Sequence, residues 1–470
     1  MSLRSLFQID SCIFRRKPVS ELIKGATGER SLKKVLGPLE LIFLGVGAII
    51  GTGIFVITGI VAAKYSGPAL VLSFVISGLV CVFAAFAYAE FASMVPVAGS
   101  AYTYGYASLG EIWAWIIGWD LILEYAVSIS AVAIGWSGYM VNLLDAMGII
   151  LPKAVTNPPG VGGGVVNLPA ILIIMVISCL LVIGVKESAR INTIIVIVKL
   201  LVISLFIYLG LFHINTTNWH PFIPFGWSGV ITGAAIAFFA YIGFDAVSTA
   251  AEEVKNPQKN LPIGILGSLA ICTVLYIVVA AVLTGIVPYF ELGNTNAPVA
   301  FALTQIGITW GSALISVGAI CGITSVLIVT MYGQTRIFFA MARDGLLPRF
   351  FSEVHPKLKT PVKITLLLGV ATALISSLFS LEVVTQLVNI GTLAAFIIVS
   401  AGVIVLRKTQ PNLQRPFKCP FVPYVPILCI VSCGGLIVAL PTITHLRFVV
   451  WLVIGLILYM FYGRYNCTIE

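Results

Sequence analysis

Four glycines interrupt a membrane-length apolar run near the start of the chain, between Gly45 and Phe55. In hydrocarbon an unpaired backbone amide or carbonyl is costly, so a helix breaks there only where another group satisfies the freed atoms. The second half of a broken helix begins with bare N–H groups and a partial positive charge. Gly51, Thr52 and Gly53 are therefore a candidate site for a small carboxylate. Close packing between helices is the alternative reason for such glycines.

A second glycine-marked weak point lies in the run 233–248, where Gly243 follows a cluster of aromatic residues and precedes Asp245. The two weak points lie in separate apolar segments. Interrupted helices in the two halves of a membrane protein are the best sequence-level indication of an inverted-repeat transporter with its site at the midplane.

Further charged residues lie inside apolar segments. Asp120 and Glu124 are four residues apart, so they share one helix face and should face protein or water instead of lipid. Lys199 is the one Lys or Arg deep in a predicted span, roughly 12 Å from its cytoplasmic end. It could exchange a proton inside the protein, or it could extend its amine to the membrane surface.

The elements that must position these residues are membrane helices. A chain of 470 residues with 59% hydrophobic and 10% charged residues is not an ordinary soluble domain. A hydropathy window of about 19 residues predicts an all-α polytopic protein with twelve spans. These spans cover residues 39–62, 70–94, 112–140, 168–186, 191–212, 228–250, 263–287, 312–336, 364–381, 387–406, 422–440 and 447–463.

The distribution of basic residues predicts the orientation. With the N-terminus in the cytoplasm, about 23 of the 27 Lys and Arg lie on the cytoplasmic side, which is the positive-inside pattern. We therefore expect a multi-pass protein of the cell membrane with both termini cytoplasmic and no nucleic-acid partner. The basic segment 1–38 is either a helix on the anionic lipid surface or a solvated tail. No cleavable signal peptide is predicted.

The sequence contains no spacing of residues typical of an enzyme active site or a metal site. The nine cysteines form no metal-like CxxC pair, and the four histidines fall in predicted loops or at span edges. We find no nucleophile with a base and no phosphate loop. The sequence thus predicts neither an enzyme nor a cofactor.

The two breaks are five spans apart, which divides the chain into two repeats of opposite orientation. Residues 39–212 form the first predicted repeat, residues 228–406 the second, and 422–463 two additional helices. Spans 9 to 12 carry few polar groups, and we expect them to be scaffold or dimer surface. The oligomeric state is left open.

Six motifs together resemble the amino acid-polyamine-organocation superfamily, and bacterial members of its cationic amino acid transporter family most of all. The resemblance implies a five-plus-five inverted-repeat core, like that of LeuT, with discontinuous helices 1 and 6. It also implies uptake of amino acids with the proton as coupling ion. The motifs are Gly47–Phe55, Tyr88–Phe91, Pro96–Tyr102, Phe238–Asp245, Glu252–Pro257 and Ala342–Pro348.

The resemblance also implies roles for single residues. The substrate carboxylate would meet the backbone N–H groups of Gly51, Thr52 and Gly53. The substrate ammonium would meet carbonyls of the two unwound segments, and the residues concerned are Ile49, Phe239, Ala240 and Ile242.

Further residues would gate and couple transport. Phe239 resembles the aromatic lid over the substrate, and Lys199 resembles the helix 5 lysine that replaces a sodium ion beside helices 1 and 8. Glu124 resembles an acidic group near the site. A lysine in apolar surroundings can gain and lose a proton near neutral pH. Thr330 or Met331 should line the side-chain pocket.

Three functions remain distinguishable at this point. We expect a proton-coupled symporter of neutral, alanine-sized amino acids, with cationic substrates second because Glu124 is one candidate counter-charge. An exchanger of amino acids or polyamines is the alternative transporter. The third hypothesis, an amino acid sensor, belongs to a different functional class.

Overall fold

The computed structural model describes residues 34, 36–97, 100–183, 189–358 and 360–464. The predicted basic segment 1–38 lies almost wholly outside these residues. In the described part of the chain, eight helical segments are long and apolar enough to cross a membrane, and four shorter apolar helices accompany them. The apolar helices, numbered in chain order, are α1 Pro38–Ile49, α2 Leu70–Met94, α3 Glu111–Ala146, α4 Leu168–Ile183, α5 Ala189–Leu211, α6 Gly226–Ala237, α7 Pro257–Ile286, α8 Thr309–Arg343, α9 Val362–Leu378, α10 Leu381–Thr409, α11 Tyr424–Ala439 and α12 Thr442–Leu458.

The first predicted span is split in two. Helix α1 ends at Ile49, because Ile50 adopts extended backbone angles (φ −75°, ψ 101°). Helical structure resumes at the π-helix Gly53–Ile57 and continues as far as Ser66. The interruption predicted at the glycines is therefore present.

The sixth span is interrupted in the same way. After α6, the 3₁₀ turn Phe238–Tyr241 ends at Ile242, which is extended. Gly243 then has φ +123°, a backbone conformation that residues with a Cβ rarely adopt. A short helix, Ala246–Thr249, follows. The glycine identified in the sequence thus lies in the interruption of this helix.

The helices pack in matched pairs. Helix α1 packs on α7 while α6 packs on α2, and α5 packs on α8 while α10 packs on α3. Helix α4 packs on α9, α3 on α8, and α2 on α7. Each of these contacts therefore has an equivalent in the other half of the chain.

Helix α10 departs from the expectation that spans 9 to 12 form a scaffold of few polar groups. It packs on α3, next to α6 and α2, and its inward face carries polar side chains in the protein interior. Those buried residues are Thr385, Gln386, Asn389, Thr392 and Ser400. Thr385, Asn389, Thr392 and Ser400 follow one another at four, three and eight residues, which places them on one helix face.

A buried ion pair and a backbone hydrogen bond fasten the last turn of α10 and the loop after it to the end of α2. Glu90 is 1% exposed, and Arg407 binds it with both Nε (3.1 Å) and one terminal nitrogen (2.6 Å). The backbone N–H of Cys419 also donates to Glu90, at 2.7 Å. This contact explains why a glutamate is tolerated in an otherwise apolar helix end.

Candidate functional site

The two interrupted segments lie directly against each other. A Cβ placed on Gly53 would be 2.4 Å from Cα of Ala240. A Cβ on Gly243 would be 2.8 Å from the carbonyl carbon of Ala48. Because only glycine allows such approaches, both breaks depend on glycines whose partner is the backbone of the other break. The residues predicted to bind a carboxylate and those predicted to bind an ammonium therefore lie next to one another.

The amide side of the site is the start of the second half of helix 1. The first N–H groups of a helix have no partner within it, so Thr52 and Gly53 present donors to the gap. Both residues are buried. The Thr52 hydroxyl lies 3.5 Å from the carbonyl oxygen of Val132 in α3. Gly135 provides the space for this threonine, since a Cβ there would be 2.4 Å from its methyl group.

The carbonyl side of the site is held by a residue that the sequence analysis missed. Tyr276 of α7 is fully buried, and its hydroxyl lies 2.9 Å from the carbonyl oxygen of Ile49 and 2.7 Å from that of Ala240. One hydroxyl thus connects both interrupted helices. A carbonyl oxygen has two lone pairs, so each can still accept a further hydrogen bond. In the 3₁₀ turn, the N–H of Ile242 donates to the carbonyl of Phe239 at 3.3 Å.

Lys199 is fully buried in α5, which excludes extension of its amine to the membrane surface. Its Nζ donates to the carbonyl oxygen of Gly47 at 2.8 Å and to that of Ile50 at 3.0 Å. These are carbonyls at the C-terminal end of α1, where helical partners run out and a positive charge is favoured. Gly322 of α8 leaves room for the lysine stem, since a Cβ there would be 2.8 Å from Cε. Lysine, α1 and α8 therefore meet as the resemblance implies.

Glu124 does not share the contacts of Lys199 but lies between α3 and α10. It is 4% exposed and interacts with the Thr392 hydroxyl of α10. Asp120 and Asp245 are its acidic neighbours. The two carboxylates of α3 thus face the protein, as their spacing predicts, on the side where α10 packs. The aspartate after the helix 6 break faces the same group.

The predicted side-chain pocket is only partly assembled around α8. Thr330 is half-buried, and its hydroxyl donates to the carbonyl of Val326 one turn earlier. Val326 is the residue that contacts Gly51, at 3.3 Å from a Cβ built there. Met331 faces elsewhere, with its sulfur 3.8 Å from the hydroxyl of Ser178 in α4. Val326 and Thr330 therefore share the face of α8 next to the break, and Met331 does not.

Phe239 belongs to the 3₁₀ turn and is 6% exposed. It lies between α6 and Ala240, the residue that touches Gly53. Phe239 is thus the neighbour in the chain of the residue at which the two breaks touch.

Comparison with known proteins agrees with these features. The profile of the amino acid permease family matches residues 36–464. The branched-chain amino acid permease BcaP of Bacillus subtilis (strain 168) is 52% identical over 455 residues, which cover 96% of this chain and 98% of that protein. The methylthioribose transporter of the same organism is 50% identical over 97% of this chain and 98% of its own length. The vacuolar cationic amino acid transporter 4 of Arabidopsis thaliana is 40% identical over 85% of this chain and 68% of its own length.

These relatives are named as permeases or transporters, and their similarity extends over nearly all of the described helices. The chain is therefore a multi-pass membrane transporter and not an enzyme, and it belongs to the amino acid permease family of the amino acid-polyamine-organocation superfamily.

Proposed function

We propose that the protein is a secondary active transporter that takes up amino acids together with protons by alternating access. The observation that carries this proposal is the contact between the two breaks, Gly53 against Ala240. It brings a helix end with bare N–H groups next to carbonyls freed by the second break. A zwitterion of an amino acid complements both.

The proposed architecture is a core of two inverted repeats, 39–212 and 228–406, followed by two further helices within 422–463. Support comes from the matched packing pairs, in which α1 on α7 corresponds to α6 on α2. Under this proposal the twelve helices all span the cell membrane. Both termini are cytoplasmic, as the positive-inside pattern predicts.

The proposed substrate contacts follow the chemistry of the gap. The carboxylate binds the N–H groups of Gly51, Thr52 and Gly53, and the ammonium shares the carbonyls of Ile49, Phe239, Ala240 and Ile242. Phe239 closes over the substrate. Tyr276 fixes the distance between the two carbonyl groups, because its hydroxyl contacts both breaks.

The proposed substrate class is neutral amino acids. Two relatives at 52% and 50% identity are named for different substrates, branched-chain amino acids and methylthioribose, so overall identity does not assign one. The face of α8 at the break presents Val326 and Thr330, which suit a small or branched apolar side chain. Cationic substrates are second, since one relative is a cationic amino acid transporter and Glu124 is the candidate counter-charge.

The proposed coupling group is Lys199. In its charged form it binds the carbonyls of Gly47 and Ile50 and holds α1 against α5 and α8. Deprotonation removes the positive charge that favours these two bonds, and α1 is then free to move. Glu124, in its separate carboxylate group, is the second candidate for proton transfer. An exchanger would not need either group to titrate.

Uptake into proteoliposomes separates these functions. A symporter accumulates labelled amino acid against its gradient when the outside is made acidic, and loses this accumulation when a protonophore is added. An exchanger performs counterflow equally well with or without the pH gradient. Uptake that is indifferent to the proton gradient would disprove symport, and a thermal-shift screen of all amino acids would identify which ones bind.

A further inference from the structure

Asn389 of α10 makes a contact in helix 6 that none of the roles above uses. Its side-chain nitrogen donates to the carbonyl oxygens of Ala235 at 2.8 Å and Ile236 at 3.0 Å. Carbonyls only accept, so the amide must present its NH₂ group to them. Asn389 is fully buried, and its side-chain oxygen has no hydrogen-bond partner in the described part of the chain.

The contact repeats the geometry of Lys199 in the other half of the molecule. Lys199 donates to two carbonyls in the last turn of α1 and the first residue of its break. Asn389 donates to two carbonyls in the last turn of α6, just before the 3₁₀ turn that holds Phe239 and Ala240. Lys199 is ten residues into α5 and Asn389 eight residues into α10, which is roughly 12–15 Å from either helix start.

The two residues differ in one chemical property. A lysine can give up its proton and its charge, whereas an asparagine amide stays neutral and keeps its two donors at every physiological pH. We infer that Asn389 is the positioning residue of helix 6, the counterpart of Lys199, and that its fixed neutrality leaves Lys199 as the one member of this pair that can titrate. This inference rests on the proposed function.

The inference has a sharp test in Asn389→Asp, which keeps the shape of the side chain. A neutral carboxyl can still donate one hydrogen bond to the carbonyls, but a carboxylate has no donor and repels them. Counterflow of labelled amino acid is measured with the same pH inside and outside, from about pH 5.5 to about pH 8. At each pH the counterflow rate of the variant is divided by that of wild type. This ratio should be at least about fivefold higher at the acidic end of the pH range than at the basic end, which corresponds to the free energy of about one hydrogen bond.

The surrounding titratable groups are present in wild type and variant alike, so the wild-type profile is the baseline. Asp120 faces Gly391 and Glu124 faces Thr392, both from α3. Other titratable groups also lie near α10. Along its length these are Asp245 of helix 6, Tyr88 of α2, Tyr104, Tyr125 of α3, and Cys429 and Cys433 of α11. At its C-terminal end Arg407 pairs with Glu90, and at its N-terminal end Glu382 pairs with Lys64 and Tyr65.

Asn218 provides a matched control. Its amide also donates to two consecutive carbonyls at a helix end, Gly285 at 2.9 Å and Ile286 at 3.2 Å, but at the end of α7 and outside the site. Asn218→Asp should follow the wild-type pH profile. Asn389→Ala, which has no donor at any pH, should raise KM about tenfold with no new pH dependence while keeping the need for a proton gradient.

The outcomes are separable. If wild type performs no counterflow of any amino acid, the proposed function falls and the inference falls with it. If wild type exchanges but Asn389→Asp follows it at every pH, the inference alone is wrong. Should Asn389→Asp not insert into the membrane, Asn389→Ala decides: retained gradient dependence with a higher KM supports the role, and a wild-type KM or a lost gradient dependence overturns it.

Discussion

Gly53 and Ala240, which are far apart in the sequence, are in backbone contact: a Cβ on Gly53 would lie 2.4 Å from Cα of Ala240 and 2.6 Å from its Cβ. The contact joins the start of the second half of helix 1 to the 3₁₀ turn of helix 6. Any side chain at residue 53 must push the two breaks apart. The backbone groups proposed to bind the substrate on either side would then no longer lie at the distance that the substrate requires.

Gly53→Ala should therefore reduce transport by at least about fivefold, because overpacking a close backbone contact costs about 1–3 kcal/mol and the strain falls on the site. The matched control is Gly434→Ala in α11, where an added Cβ meets nothing within 4 Å. Initial uptake rates, corrected for the amount of protein in the membrane, provide the comparison. Equal rates for the two variants would contradict the assigned contact.

Tyr276→Phe removes the hydroxyl that contacts Ile49 and Ala240. We expect a rise in KM of about tenfold, since two buried carbonyls at the site lose their shared donor. Tyr241→Phe is the control, because its hydroxyl donates to the carbonyl of Phe74 in α2 instead of to the two breaks. Both variants should lower the melting temperature. A KM change in Tyr241→Phe as large as in Tyr276→Phe would show that only general stability is affected.

Glu90→Gln should destabilise the protein by up to about 3 kcal/mol, because the guanidinium of Arg407 loses its buried carboxylate partner. Glu353→Gln breaks the ion pair with Lys363, whose side chains are both more than half exposed, and should change stability little. Thermal unfolding in detergent distinguishes them. Similar melting temperatures for the two variants would mean that the Glu90 pair does not stabilise the fold.

Cys419, in the loop held by Glu90, should be almost inert to alkylating reagents. Burial, followed by the nearby charge of Glu90, raises the pKa of its thiol to about 12. A raised pKa keeps the thiol protonated at neutral pH, and only the thiolate reacts. At about pH 8 a variant with Cys419 as its single cysteine should react about 10³-fold more slowly than an unfolded cysteine of pKa about 8.5. Labelling of the folded protein at the unfolded rate would exclude the docked loop.

The sequence predicted both breaks because glycine acts locally: Gly243 has φ +123°, a conformation that residues with a Cβ rarely adopt. It predicted Lys199 as a candidate because a lone charge in hydrocarbon needs a partner, and Gly47 and Ile50 supply it. These are properties of single segments, so they can be recognised without knowing how the helices pack.

Residues that act across helices were harder to find. Tyr276 lies in an apolar stretch of α7, where nothing in the local sequence marks it. Only the packing of α7 against α1 brings its hydroxyl to both breaks. Met331 and Thr330 are adjacent in sequence, and the rotation of α8 decides which of them faces the break. For Asn389 a signal existed, since polar residues repeat along one face of α10. This signal was not used, because spans 9 to 12 were expected to carry few polar groups and to form a scaffold.

Lys199→Met in proteoliposomes tests the central claim most directly, namely that this amine couples protons to movement of helix 1. Methionine retains an unbranched stem of similar length beside Gly322 but carries no proton, and Lys363→Met at an exposed position is the control. Lys199→Met should retain measurable counterflow and lose accumulation driven by an inward proton gradient, whereas the control should keep both. Undiminished uphill uptake by Lys199→Met would contradict the account.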